Sequence, residues 1–569
     1  MRPFPRRLSR RLPLGAAAAS VLLIAPSLSR AQLQLGQIQG TITNRETGQP
    51  LPGVTVVVNG PAMQGDQTEV SDKLGRYLIT QLPPGDGYTL RFYYNDVVVE
   101  RPGIRIGQNK TLAVNLAMTT QRGRGERIVL HERAPNVDTA TASTGVEINQ
   151  ELLQNTAVRG RTFESVISLA PGSADVAPRG VAGGDVGVSF SGSVGNENNI
   201  LIDGLNTTDL AFGLPSTQLH QYFIKEINVI AGGYQAEYGR ATGGVISIVT
   251  KSGSNEFHGS LFGSIAPFQA DATPIARLGE AIATSTRTLR QFDMGFDLGG
   301  PIVKDHVWFY VGFAPTLTTN LTTRSIRTQG TELDPDYRDP SYLSDPELSA
   351  VPRLQARRTT LVPDRTRQIL ETRRLFNWIA KVNININPDH SFILSYLGSP
   401  QFGSEYGSGS GYSTTGSTNP YSGDVDAQAL TRAAQNHDGT LRYIGKFFQR
   451  KLQVDVLYGL HLVQLQELPV SAGVQQVRYR APFYDPYSLG DFENIPECQR
   501  RQLVGGEVLN PCPVTDYTRA GFGQYTPLRK MERHSLQASL TGYFSALGSH
   551  ALKAGLDFED NILDNTKKF

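Results

Sequence analysis

Apolar and polar residues alternate with a period of two over long stretches of the C-terminal half. Phe292, Met294, Phe296 and Leu298 are interleaved with Gln291, Asp293, Gly295 and Asp297. The pattern recurs at Phe376, Trp378, Ala380, Val382, Ile384 and Ile386, at Phe392, Leu394 and Tyr396, at Leu452, Val454, Val456, Tyr458, Leu460 and Leu462, and at Leu552, Ala554, Leu556 and Phe558. Successive side chains of a strand point to opposite faces, so each run predicts a strand with one apolar and one polar face. The connections alternate as well. They are short at residues 301–305, 387–390, 448–450 and 547–550, and long at 269–287, 317–371, 399–436 and 466–531. Short turns at one end, long loops at the other, an apolar face for lipid and a polar face for a lumen together predict an antiparallel transmembrane β-barrel over residues 256–569.

The N-terminal half has other rhythms. The five arginines Arg2, Arg6, Arg7, Arg10 and Arg11 precede an apolar run from Leu12 to Ala25 and the small-residue site Ser29-Arg30-Ala31, the pattern of a cleaved signal peptide over residues 1–31. Short β-rich pieces follow at Gln37 to Thr43, Val54 to Asn59, Gly75 to Gln81, Tyr88 to Tyr94, Val97 to Arg101 and Thr111 to Leu116, each bounded by Gly, Pro, Asn or Asp. This spacing predicts a small antiparallel sandwich over 36–118. Arg122-Gly123-Arg124-Gly125 opens a flexible linker over 122–135, which holds the isolated apolar run Ile128-Val129-Leu130. Such a run can add as an edge strand to a partner's sheet or begin the next domain. Between 136 and 253, an amphipathic helix at Thr162 to Ala170, a buried strand at Asn199 to Gly204 that ends in a tight turn at Asp203-Gly204, and strands at Ile224 to Ala231 and Val245 to Thr250 predict an α+β domain. The glycine-rich run Gly232 to Gly244 lies between two of those strands, which implies close backbone approach.

Two resemblances attach to these residues. Gly40-Thr41-Ile42, Thr47 to Val54, Ser71 to Tyr77, Leu82 to Gly85 and Leu112 to Leu116 resemble the carboxypeptidase regulatory-like domain, a transthyretin-like sandwich. That implies a binding or spacer module related to carbohydrate-binding-like folds, with no catalysis. Asp203-Gly204 and the run from Lys225 to Gly259, with Tyr238, Gly239, Arg240, Gly243 and Gly244 leading into Thr250 to Asn255, resemble the plug and first barrel strand of TonB-dependent outer-membrane transporters, in particular the Oar-like subgroup. The resemblance implies gated uptake of an extracellular carbohydrate, peptide or chelate. It also implies a periplasmic TonB-type transducer that grasps a segment placed like Ile128-Val129-Leu130. Many members carry Arg-Gly where this chain has Ala231-Gly232, which removes one plug-to-barrel ion pair and leaves Arg240 as a possible substitute. Roughly nine strands can be counted, whereas plugged barrels use about 22 and narrow barrels are filled by side chains. The chain is therefore expected to hold the N-terminal part of a longer barrel. Asp564 to Lys568 lack strand alternation, so the terminal Phe569 is not read as the aromatic residue that ends many outer-membrane barrels.

Composition narrows the alternatives. The 54 basic and 52 acidic residues leave a formal charge of +2, which gives no footprint for nucleic acid. There is no HExxH, P-loop or GxSxG motif, and the 9 histidines are scattered, so neither an enzyme nor a metal or other cofactor is expected. Cys498 and Cys512, an even count in an exported chain, suggest a loop disulfide. Outer-membrane lipid and an extracellular ligand are the expected surroundings. The rival class is a non-transporting surface protein for adhesion or secretion.

Overall fold

The computed structural model describes residues 35–119, 127–129, 143–267, 280–333, 357–406 and 423–568, apart from short gaps within these ranges. The proposed signal peptide, Leu130 and Arg240 lie outside the described residues. The architecture is mainly β.

The first module has two sheets. One joins β1 (Gly36–Asn44), β4 (Arg76–Leu82), β7 (Thr111–Ala113) and β8 (Leu116–Met118); the other runs in the order β3 (Gln67–Val70), β2 (Thr55–Asn59), β5 (Gly85–Tyr94), β6 (Val97–Ile106) and β9 (Arg127–Val129). Alternate residues of each strand enter a shared core, where Ile38, Val56, Tyr88, Leu90 and Phe92 are fully buried. The strand β3 was not expected, because three of its four residues are polar and none is buried. The isolated run at Arg127–Val129 neither opens the next domain nor stands free: it pairs in parallel with Val98, Val99 and Glu100 of β6.

The second domain is a sheet in the order β10 (Thr144–Asn149), β15 (Ile224–Gly232), β16 (Val245–Thr250), β13 (Asn199–Ile202) and β14 (Leu205–Asn206). Beside it lie the short pair β11 (Ser173–Asp175) and β12 (Val188–Phe190), and the helices α1 (Gln150–Asn155) and α2 (Phe163–Ile167). The helix is shorter than its apolar stripe predicts. Asp203 and Gly204, at φ 49° and 90°, form a tight hairpin turn between β13 and β14, a conformation that the Asp-Gly pair tolerates.

The third body is one antiparallel meander in the order β17 (His258–Ala266), β18 (Ile282–Val303), β19 (Val307–Leu333), β21 (Arg367–Asn387), β22 (His390–Gly398), β24 (Ala429–Phe447), β25 (Leu452–Pro469), β32 (Tyr525–Ser545) and β33 (Ser549–Lys568). The short strands β20 (Arg357–Leu361) and β23 (Gln401–Tyr406) pair beside it. Its polarity is inverted relative to a soluble protein. Phe296, Leu394, Leu441, Tyr458, Leu536 and Phe558 are exposed on the outer face, while Asp293, Asn377, Lys381, Asp438, Arg442, Asp455 and His461 are buried on the inner one. Among the described residues no helix is long and apolar enough to cross a membrane, which says nothing of crossing by strands.

The strands run further than alternation predicts. Residues 317–333 and 367–371, expected in a loop, belong to β19 and β21, with Leu317 paired to Arg374 and Arg324 to Arg367. Asp564 to Lys568 continue β33, with Asp564 opposite Lys530. Outside a bilayer both faces of a strand meet polar surroundings, so alternation is lost. The backbone ladder persists, and β-branched residues such as Thr316, Thr318, Thr322 and Thr323 keep the chain extended.

Beyond the long strands, residues 477–520 form a small cap from β26 (Val477–Arg480), β27 (Tyr487–Ser488), β28 (Gln502–Val504), β29 (Glu507–Leu509), β30 (Pro513–Val514) and β31 (Asp516–Ala520). The Cys498–Cys512 disulfide sits in its core, packed on Ile282 and Ile326 of the strands below.

Candidate functional site

The inner face of the meander wraps the α+β domain, and the contact between them is the candidate site. The apolar core of this domain, including Phe163, Ile202, Phe223, Ile227 and Ile248, continues onto Tyr310, Ala314, Ile379 and Leu397 of the sheet. Most of the rest is polar. At the hairpin turn the Asp203 carboxylate accepts hydrogen bonds from the Thr250 amide at 3.0 Å and hydroxyl at 2.6 Å. Lys381 of β21 completes this cluster, with Nζ 3.2 Å from both carboxylate oxygens and 3.0 Å from Thr250 Oγ1. The ion pair is buried and every charged group has partners, as its removal from water requires.

Further ties follow the curve of the sheet. Arg529 of β32 meets Asp209 at 3.2 Å. Arg533 donates to the carbonyls of Asn206 and Thr208 at 2.7 and 3.0 Å. Lys553 of β33 pairs with Glu237. On the opposite flank Lys251 reaches Asp297 of β18 at 2.8 Å, and His220 reaches Asp293 at 3.3 Å. These contacts engage strands from β18 to β33.

One row deserves a chemical test. Ser216 Oγ is 2.8 Å from His461 Nε2, and His461 Nδ1 faces Asp438, whose other oxygen accepts from Thr217 Oγ1 at 2.6 Å. The order is that of a nucleophile, a base and the carboxylate that orients the base. However, Ser216 donates its single hydroxyl proton to the Thr207 carbonyl at 2.6 Å, so Oγ receives from His461 rather than giving to it. Both ring nitrogens of His461 face acceptors, and the row is a structural tie between domain and sheet.

The glycine-rich motif serves packing. A side chain at Gly244 would meet the Phe190 ring at 2.6 Å, and one at Gly243 would meet Asn198 Oδ1 at 2.5 Å. Asn198 also accepts from the Gly244 amide at 2.8 Å. Tyr238 is buried with Leu201, Ile230 and Val245, and the Gly239 carbonyl accepts from Asn199. Among the described residues of these motifs, Asp203 and Glu237 carry their charges into the interface with the sheet.

Alternation places Lys381, Asp438, His461 and Arg533 on polar faces, but nothing in the sequence says which of them meets which loop. The first module closes the other end. Gln108 donates its amide to Glu226 at 3.0 Å, Arg105 reaches Glu147 at 3.1 Å, and Arg450, in the turn between β24 and β25, donates to the Thr68 carbonyl at 2.8 Å. A cavity of about 310 Å³ lies at this joint, lined among others by Arg105, Lys110, Glu147 and Asn228. Burial, and then the charge of Glu147, push the Glu226 carboxyl well above the ordinary carboxylate range.

A sheet with its apolar face outward, wrapped around a domain joined to its first strand, defines a plugged β-barrel protein of the outer membrane. A family model for the outer membrane beta barrel domain matches residues 249–568, and one for the carboxypeptidase regulatory-like domain matches 37–119. The chain belongs to this outer-membrane β-barrel family. It is similar to the TonB-dependent transporter Oar of Myxococcus xanthus, at 32% identity over 577 residues that cover 95% of this chain and 51% of that protein. The chain thus spans about half the length of the curated relative it matches. Among solved structures, the outer membrane transporter YddB from Escherichia coli aligns at a TM-score of 0.43 and 10% identity, covering 73% of this chain and 48% of that one. The siderophore receptor PirA from Pseudomonas aeruginosa aligns at 0.29 and 13%, covering 74% and 59%.

Proposed function

We propose that this chain acts in gated uptake across the outer membrane, with residues 136–253 as the plug and Ile128, Val129 and Leu130 as the segment that a periplasmic TonB-type transducer grasps. In this reading residues 1–31 are a cleaved signal peptide, 36–118 a carbohydrate-binding-like module, 122–135 the coupling linker and 256–569 barrel. The cargo class is a carbohydrate, peptide or chelate, and no step is chemical catalysis.

The polar character of the plug contact carries the reading. A hydrogen bond exchanged for water changes stability by only about 0.5–1.5 kcal/mol, whereas a fully apolar seal would resist opening in proportion to its area. Ties such as Arg533 to the Asn206 carbonyl, or Thr217 to Asp438, can be handed to water as a pulled plug moves. The Oar relative supports the assignment of a transducer as the partner.

The test is binding between the membrane-extracted chain and the periplasmic domain of a TonB-type transducer. Saturable binding is expected, weakened at least about tenfold by Ile128→Pro, because proline removes a ladder donor. Absence of binding to the unsubstituted chain would favour the non-transporting surface protein.

A further inference from the structure

The strand β9 holds part of the proposed coupling segment on the edge of the N-terminal module. Without it, β6 would be the edge of the module's second sheet, with a row of backbone donors and acceptors open to any extended peptide. In the chain that row is filled: Arg127, Ile128 and Val129 lie opposite Val98, Val99 and Glu100 in parallel register. The β6 strand is itself well anchored, with Val99 and Ile104 buried in the core and Glu100 paired with Arg91 at 3.6 Å. The acceptor edge is therefore preformed, and its occupant is tethered on both sides, between β8 and β10.

We infer that the β6 edge of the N-terminal module is a strand-accepting surface whose partner is the chain's own Arg127–Val129, and that the module thereby competes with the transducer for that segment. The inference rests on the reading of Ile128 and Val129 as part of the coupling segment. Strand addition uses the backbone groups along one side of a peptide, and a transducer sheet that takes the side held by β6 must displace β6 before it can add these residues to itself. Short tethers give an intramolecular acceptor an effective concentration in the mM range, which lowers the apparent affinity of a separate competitor. The module is also docked on the plug through Arg105 and Gln108 and on the barrel turn through Arg450.

The experiment is a reversible cross-link, Val98→Cys with Arg127→Cys, in the full chain in its membrane, with each single variant as a control. Paired residues across neighbouring strands have the Cα separation that a disulfide accepts. Mild oxidation is expected to form the link. Adding the transducer's periplasmic domain first is expected to slow its formation, and the linked chain is expected to bind that domain at least about tenfold more weakly, with recovery on reduction. The unsubstituted chain, reduced in parallel, accounts for any effect at Cys498 and Cys512. Failure of the link to form overturns the sequestration. A link that forms without loss of transducer binding leaves the strand pairing standing and overturns the reading of Ile128 and Val129 as the coupling segment. Amide exchange on the unsubstituted chain reads the pairing without any variant: slow exchange is expected at those amides of Arg127 to Val129 that face β6, and exchange of all three at the rate of free chain overturns it.

Discussion

At the scale of single residues, the buried charges of the lumen decide how firmly the plug sits. Asp203 is the centre of one such cluster, because a two-residue turn aims its carboxylate at Thr250 and Lys381. Asp203→Ala removes the anion and leaves the Lys381 ammonium buried without it. Breaking a buried pair from one side costs about 3–5 kcal/mol. A lowered denaturation midpoint, read by tryptophan fluorescence, is expected. Lys381→Met in the same chain should recover part of the loss, since replacing both partners removes the stranded charge. If Asp203→Ala unfolds like the parent, the cluster contributes nothing to holding the plug. The Asp-Gly turn was legible in the sequence. The lysine was not, because it is 178 residues away in the chain.

At the scale of elements, the joint between the first module and the plug is sensitive to acid. Glu226, on β15, is enclosed by Glu147 of β10 and by Arg105 and Gln108 of the module, and burial with the charge of Glu147 raises its affinity for a proton. A carboxyl whose folded pKa is raised favours the folded state fully below its ordinary value of 4.5, and that contribution is lost as pH rises through the elevated value. The folded joint should therefore lose stability from acidic toward neutral pH, measured as growing protease access to it. Glu226→Gln should flatten that dependence, and an unchanged pH profile in this variant would remove Glu226 from the account. Element boundaries were legible where one face meets lipid or a core, as in β25, whose residues alternate strictly in burial. They were not legible in β3, in the upper part of β19 or at the end of β33, where backbone pairing rather than side-chain polarity sustains the strand.

At the scale of the whole molecule, the surface itself discriminates a membrane barrel from a soluble sheet. Leu441 is half-exposed on the outer face of β24. At an exposed site of a soluble protein, Leu441→Arg would change stability by less than about 0.5 kcal/mol. On a lipid face near the middle of the bilayer it costs about 2–4 kcal/mol. Folding titrations into lipid vesicles are expected to show the larger loss, and a neutral result would contradict the placement of this face in lipid.

The sequence by itself determined the class of the protein, because a period-two pattern with an apolar outer face is a local property, written residue by residue. It also determined the compact sandwich, the Asp-Gly turn and the pair of cysteines. Only the tertiary structure decided which lumen side chains hold the plug, that Ser216, His461 and Asp438 form a tie, and that Arg127–Val129 rests on β6. Those contacts join segments far apart in the chain, and a polar residue in an alternating strand carries no mark of the partner that folding brings to it.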